Sequence, residues 1–210
     1  DHNYFASDFH IAMFVSNLFE IKEDNNNDVI NHFLSTDKIV RTGWPMEYMD
    51  GTLTSYKNMQ KRDLILFPHR IAPEKQVEIF RDLKEQLPQY EFVVCQDQQL
   101  TKNEYHNLLG ESKIVFSASL QETLGIGCYE GAIVDAIPMV PDRLSYTEMY
   151  YDGFKYPRDW NSYLNHRQEL CHHITVTMTH YEKRLPQVKK LAQDLTEKFF
   201  SANKLIEMIK

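Results

Sequence analysis

Two short stretches of this chain hold the side chains best suited to chemistry. In His69-Arg-Ile-Ala-Pro-Glu-Lys75, Arg70 and Lys75 flank a turn that leads into a helix. The free N–H groups at a helix start already favour an anion, so two cations there can neutralise a diphosphate. They can equally be surface charges, but cations oppose the dipole at a helix N-terminus, and that reading needs a compensating carboxylate such as Glu74. In Ser117-Ala-Ser-Leu-Gln-Glu122-Thr-Leu-Gly125-Ile-Gly127-Cys-Tyr-Glu130, one carboxylate precedes a helix and the other lies about two turns inside it. Gly125 and Gly127 let backbone approach a ligand closely, and carboxylates accept hydrogen bonds from sugar and ribose hydroxyls. Taken alone, Glu122 reads as a first-turn partner of the helix dipole and Glu130 as an exposed helix charge.

Other constellations offer less. His166, His173 and His180 recur every seven residues, too far apart for one metal, and read as a packed or solvated helix face. Asp24-Asn-Asn-Asn-Asp28 lacks the glycine and the twelfth-position glutamate of a calcium loop. No D-x-D is present to anchor a divalent metal, and neither a G-x-G-x-x-G nor a P-loop follows any strand. Cys128 and Tyr129 read as packing, Trp44 and Trp160 as supports of the linker and tail.

The elements that must hold these loops are legible from pattern. Residues 3–7 read as a short strand and Phe9–Phe19 as a helix. Glu23–Asp28 reads as a polar loop, with Asp28 capping a short helix to Leu34. The stretch from Gly43-Trp-Pro45 to Arg62, poor in apolar residues, reads as a linker. Asp63–Pro68 is then a buried strand run, and Pro73 opens a helix whose face is Val77, Phe80, Leu83 and Leu87. Tyr90–Cys95, Lys113–Ser117 and Ala136–Val140 supply further strands, with helices over Lys102–Leu109 and from near Gly125. Strands alternating with helices through short loops imply a parallel sheet covered on both faces. The expected fold is therefore α/β, a Rossmann-like sheet with helices on both faces and a helical tail. The tail is one long helix from beyond Asp159 to Arg184 and another after Pro186. In such sheets ligands bind beyond the carboxyl ends of the strands, which is where both motifs lie.

Composition sets the outer limits. Of 210 residues, 42% are apolar and 25% charged, which excludes a wholly disordered or collagen-like chain. A net charge of −7 argues against a chain that grips nucleic acid along its whole surface, although residues 161–210 carry 8 basic and 5 acidic side chains. No run of 18 apolar residues suggests a membrane span. Three scattered cysteines and no N-x-Ser/Thr sequon favour a reducing, cytoplasmic location. The chain opens at Asp1, in mid-fold, and reads as part of a longer protein.

The order of these motifs resembles retaining GT-B glycosyltransferases of the group-1, family-4 type. His69-Arg70-Ile71-Ala-Pro-Glu74-Lys75 is similar to that family's G-R-L-x-x-E-K-G, and Ser119 through Gly131 to its S-x-x-E-G-F-G-x-x-x-x-E-A. The likeness runs from about Asp63 to Tyr150 and extends weakly to residues 1–45. It implies that Arg70 and Lys75 hold the diphosphate of a nucleotide-sugar donor and that Glu130 holds the ribose. Glu122 and the amides around Thr123, Leu124 and Gly125 would hold the sugar. It further implies retention at the anomeric carbon, no metal, and no cofactor beyond the nucleotide-sugar substrate. The sequence departs from the family where His69 replaces a glycine, Gln76 stands where glycine is common, and Thr123-Leu124 replace Gly-Phe.

Under this resemblance the chain divides into a remnant of an N-terminal GT-B domain (1–42), a linker (43–62), a nucleotide-sugar-binding domain (63–185) and a terminal helix packing back toward the N-terminal domain (186–210). Most of that N-terminal domain, and with it most of the acceptor site, would lie outside the chain. Pro141-Asp-Arg-Leu-Ser-Tyr-Thr-Glu148-Met is also similar to transferases that glycosylate modified tRNA nucleosides, so nucleic acid is one acceptor class to consider. Two other readings fit the same residues: a non-catalytic nucleotide-sugar-binding or interaction module, and a sugar-nucleotide epimerase on the same fold.

Overall fold

A computed structural model describes residues 2–19, 31, 32, 35, 36 and 38–210. The expected Glu23–Asp28 loop and the helix capped by Asp28 lie outside the described residues. The chain forms two compact units, Asp1–Glu47 with Asp194–Lys210, and Tyr48–Gln193.

In the first unit, β1 (Asn3–Phe5) pairs in parallel with β2 (Ile39–Arg41), with Phe5 opposite Arg41. Helix α1 (Asp8–Phe19) lays Ile11 and Val15, four residues apart, against Ile39 and Phe5. Gly43-Trp-Pro45 is held by the end of the chain: the Trp44 amide donates to the Phe199 carbonyl at 2.7 Å and the Met46 amide to Phe200 at 2.8 Å. Gly43, at φ 74°, sits where a side chain would press on the Phe199 carbonyl.

The second unit is built on a five-stranded, all-parallel sheet in the order β4-β3-β5-β6-β7. Its strands are β3 (Arg62–Phe67), β4 (Glu91–Val94), β5 (Ser112–Phe116), β6 (Ile137–Pro141) and β7 (Lys155–Tyr156). The central strands are continuous apolar runs because both faces are covered: Leu64, Ile65, Leu66, Phe67, Ile114, Val115 and Phe116 are fully buried. This is the expected Rossmann-like α/β architecture.

Several expected boundaries are corrected. Residues 48–62 are not a bare linker. They contain α2 (Tyr48–Leu53) and a 3-10 turn to Tyr56, and Lys61 donates to the Ser112 and Val134 carbonyls at 2.9 and 2.6 Å. Met49 and Leu53, buried four apart, drive that helix, a signal too short to read in a stretch with few other apolar residues. Pro73 opens a single 3-10 turn ending at Lys75, and α3 (Val77–Gln86) starts only after Gln76, which takes left-handed φ 51°. The tail breaks between α7 (Tyr163–Thr179) and α8 (Tyr181–Phe199), and Pro186 lies inside α8. Pro186 is the sixth residue of α8, where it forgoes one backbone hydrogen bond without ending the helix. Helix α9 (Asn203–Ile209) closes the chain.

Candidate functional site

The loops leaving the carboxyl ends of β3, β4, β5 and β6 gather the chemistry-bearing side chains. After β3, the 3-10 turn turns Lys75 inward, and its side chain is only 10% exposed. Its ammonium donates to Glu122 Oε2 and to the Gln121 carbonyl, both at 2.8 Å. The Leu120 amide donates to the Glu74 carbonyl at 2.7 Å, so the loops after β3 and β5 are stitched by backbone as well as by charge.

Glu122 is also sheltered, its side chain 13% exposed. Burial opposes its ionisation, but the Lys75 hydrogen bond and charge outweigh it, and the carboxyl is held below the usual range. Its Oε1 accepts from the Thr123 amide at 3.0 Å, and Tyr146 Oη lies 3.5 Å from Oε2 and 3.1 Å from Ser117 Oγ. Thr123 is exposed and Leu124 buried. Gly125 caps the next helix, α5 (Ile126–Ile133), in left-handed φ 61°, and a Cβ there would overlap the Tyr146 ring. A Cβ at Gly127 would stand 2.7 Å from Pro68 Cγ. Glycine thus lets the Tyr146 ring and Pro68 pack directly on the backbone at the start of α5, beside Glu122.

Glu130 lies inside α5, where it accepts from Tyr105 Oη at 2.6 Å. Tyr105 belongs to α4 (Lys102–Glu111), whose start is fixed by a Thr101/Glu104 capping box. Burial raises the Glu130 carboxyl above its ordinary range, with the Tyr105 hydrogen bond and the Lys102 charge opposing. The two carboxylates of the Glu122/Glu130 pair are thus in different electrostatic states. Tyr105 also faces a cleft of about 400 Å³, lined besides by Pro68, His69, Arg70, Cys95 and Gln96, among others.

The structure joins Lys75 to Glu122, but it does not place Arg70 in that pair. Arg70 is 72% exposed and forms its ion pair with Glu74, the carboxylate that a pair of surface charges would need, while still lining the cleft. Three participants were missed: Tyr105, Tyr146 and Ser117. Tyr146 is twenty-four residues from Glu122, and no spacing rule reports such a contact. His69 was noted only as a departure. It is buried against Phe67, and burial, partly offset by the Glu122 charge, pushes its imidazole down to about 4, so it is neutral at pH 7.

Among the described residues no three His, Cys, Asp or Glu side chains converge as metal ligands. His166 stacks on Trp160, and His173 meets the same ring edge-on. No helix among the described residues is long and apolar enough to cross a membrane.

No protein-family model and no curated protein matches this chain. Solved structures do. It is similar to HepE of Anabaena in complex with UDP and glucose, at 14% identity and TM-score 0.58, over 97% of this chain and 67% of that one. It is similar to a point mutant of S. aureus TarM in complex with fondaparinux, alpha-GlcNAc-glycerol and UDP, at 14% identity and TM-score 0.57, over 90% and 42%. TarM itself matches at 15% identity and TM-score 0.56, over 94% and 44%. These neighbours are GT-B-type glycosyltransferases, and the chain shares their Rossmann-like fold while spanning 42% to 67% of their length.

Proposed function

We propose that this chain is the donor-binding half of a retaining glycosyltransferase that moves a sugar from a nucleoside diphosphate to an acceptor hydroxyl. The observation that carries this reading is the sheltered Lys75–Glu122 pair just before the start of α5, at the carboxyl edge of the sheet. A cation and free amides suit a diphosphate, and the adjacent carboxylate suits sugar hydroxyls. Tyr105, which lines the cleft, holds Glu130, and the pair suits a ribose. UDP bound to two of the neighbours supports the same ligand class.

In the proposed reaction the acceptor oxygen bonds to the anomeric carbon on the face the phosphate leaves. The bond from carbon to phosphate oxygen breaks, and the acceptor proton passes to that oxygen, giving a glycoside and a nucleoside diphosphate. Lys75 and the α5 amides stabilise the charge that grows on the leaving group. Glu122 and Glu130 bind hydroxyls and carry no proton in the reaction. Nothing in this scheme needs a metal or a resident cofactor. The acceptor, nucleic acid included, would be met largely by the length of the neighbours that this chain does not span, and the reading places the enzyme in the cytoplasm.

Isothermal titration of the 210-residue chain with UDP, GDP and ADP and with their sugars tests the reading. One nucleotide series should bind, and Lys75→Ala should weaken it. Absence of binding across all three would refute it in favour of a non-catalytic module. Conversion of a bound donor to its isomer without acceptor would instead favour an epimerase.

A further inference from the structure

The loop that follows β6 holds polar groups that the scheme above does not use. The Asp142 amide is tied to the Tyr156 carbonyl and the Arg143 amide to the Pro141 carbonyl, both at 2.8 Å. Leu144 then takes φ 57°, ψ −145°, a conformation that a branched side chain adopts only under strain. On either side of it are unsatisfied groups: Arg143 Nε and Ser145 Oγ are buried without a hydrogen-bond partner among the described residues. Asp142, the nearest carboxylate in sequence, faces Lys155 at 3.1 Å. Arg143 is half-buried, yet its guanidinium forms no ion pair among the described residues.

A half-buried guanidinium whose Nε has no acceptor, and which has no counter-charge, costs folding free energy. An arriving anion would offset that cost. The position suits one: Arg143 belongs to the loop that leads into α6 (Ser145–Met149), which carries Tyr146, whose hydroxyl reaches Ser117 Oγ and Glu122, and Glu122 in turn holds Lys75. Tyr156, close enough to feel the Arg143 charge, donates to the Ser117 carbonyl at 2.7 Å. Arg70 contrasts with it, being open to water and satisfied by Glu74.

The geometry points to Arg143 as the second cation, with Lys75, for the phosphoryl groups of the bound nucleoside diphosphate. This rests on the proposed donor site and moves the paired charge from the loop after β3 to the loop after β6.

The test is titration of the 210-residue chain with UDP, UMP and uridine, with Arg143→Met and Arg143→Lys beside the native sequence. Loss of one charge-assisted contact should weaken UDP binding about ten- to a hundredfold in Arg143→Met and leave uridine unchanged. Arg143→Lys should recover part of the loss. The Tm of Arg143→Met should hold or rise, because an unpaired charge has been removed. Undiminished UDP affinity, an equal loss for uridine, or a lowered Tm would each overturn the assignment, the last by showing the guanidinium paired within the fold. If the native chain binds no UDP, the donor reading itself falls and takes this one with it. If UDP binds and only Lys75→Ala weakens it, the Arg143 assignment alone fails.

Discussion

Lys75 and Glu122, forty-seven residues apart, meet at 2.8 Å with both side chains nearly withdrawn from solvent. The pair therefore belongs to the fold as well as to the site. Removing one partner strands the other charge, and such losses run to about 3–5 kcal/mol in fully buried pairs. Slight exposure here sets the expectation at about 2–4 kcal/mol. Urea denaturation should show this loss for Lys75→Met and for Glu122→Leu, with the double variant well short of the sum. Strict additivity would show that the two charges do not depend on each other.

Activity gives a second reading of Lys75. In an enzyme carrying the acceptor domain, kcat/KM should fall by about one to two orders of magnitude in Lys75→Ala. Arg70→Ala should cost less, since Arg70 is committed to Glu74 and open to water. Equal losses, measured at matched folding, would restore Arg70 as an equal partner.

What was legible in the sequence follows from what periodicity encodes. Leu64–Phe67 and Ile114–Phe116 are covered on both faces, and a continuous apolar run reports that directly. Glu122 and Glu130 were legible because glycines and a helix start lie between them. Strand β7 was not legible, since two residues, Lys155–Tyr156, show no period. Pro186 misled because proline marks helix ends more often than it tolerates a second turn. The burial of Lys75 was hidden for a different reason: it rests on contacts with Gln121 and Glu122, more than forty residues away, which no local pattern reports.

Glu130 and Tyr105 should report the nucleoside side of the cleft. Tyr105→Phe removes the donor at 2.6 Å and leaves a buried carboxyl whose proton affinity burial already raises. It should cost about 1 kcal/mol of stability and weaken UDP several-fold. Glu130→Gln should weaken UDP more than it weakens the 2′,3′-dideoxy analogue, which lacks the hydroxyls a carboxylate would hold. Equal weakening of both, by titration, would remove Glu130 from the ribose.

His69 ties stability to pH with a definite sign. Its imidazole titrates near 4 when folded and near 6.5 when unfolded, so between these values the unfolded chain binds more protons. Stability therefore rises as pH increases from about 4 to 6.5 and is flat in this respect above it. Burial lowers His106 and His173 as well, so the native slope is shared. Thermal melts of His69→Phe should show a shallower rise over that window, with the variant-to-native difference smallest at the acid end. A parallel slope would mean that His69 is protonated in the fold.

Two glycines offer the sharpest contrast in backbone terms. Gly125 takes φ 61°, and an added Cβ would run into the Tyr146 ring, which is itself fixed by Ser117 and Glu122. Neither the backbone nor the ring can yield cheaply, so Gly125→Ala should cost about 2 kcal/mol or more. Gly51 lies within α2, with nothing within 4 Å of where a Cβ would stand. There alanine restricts only the unfolded chain and favours the helix, so Gly51→Ala should gain about 0.5–1 kcal/mol. Urea denaturation of the two variants checks both signs. A neutral Gly125→Ala would show that the loop can shift away from Tyr146, and the close packing at the start of α5 would then owe nothing to glycine.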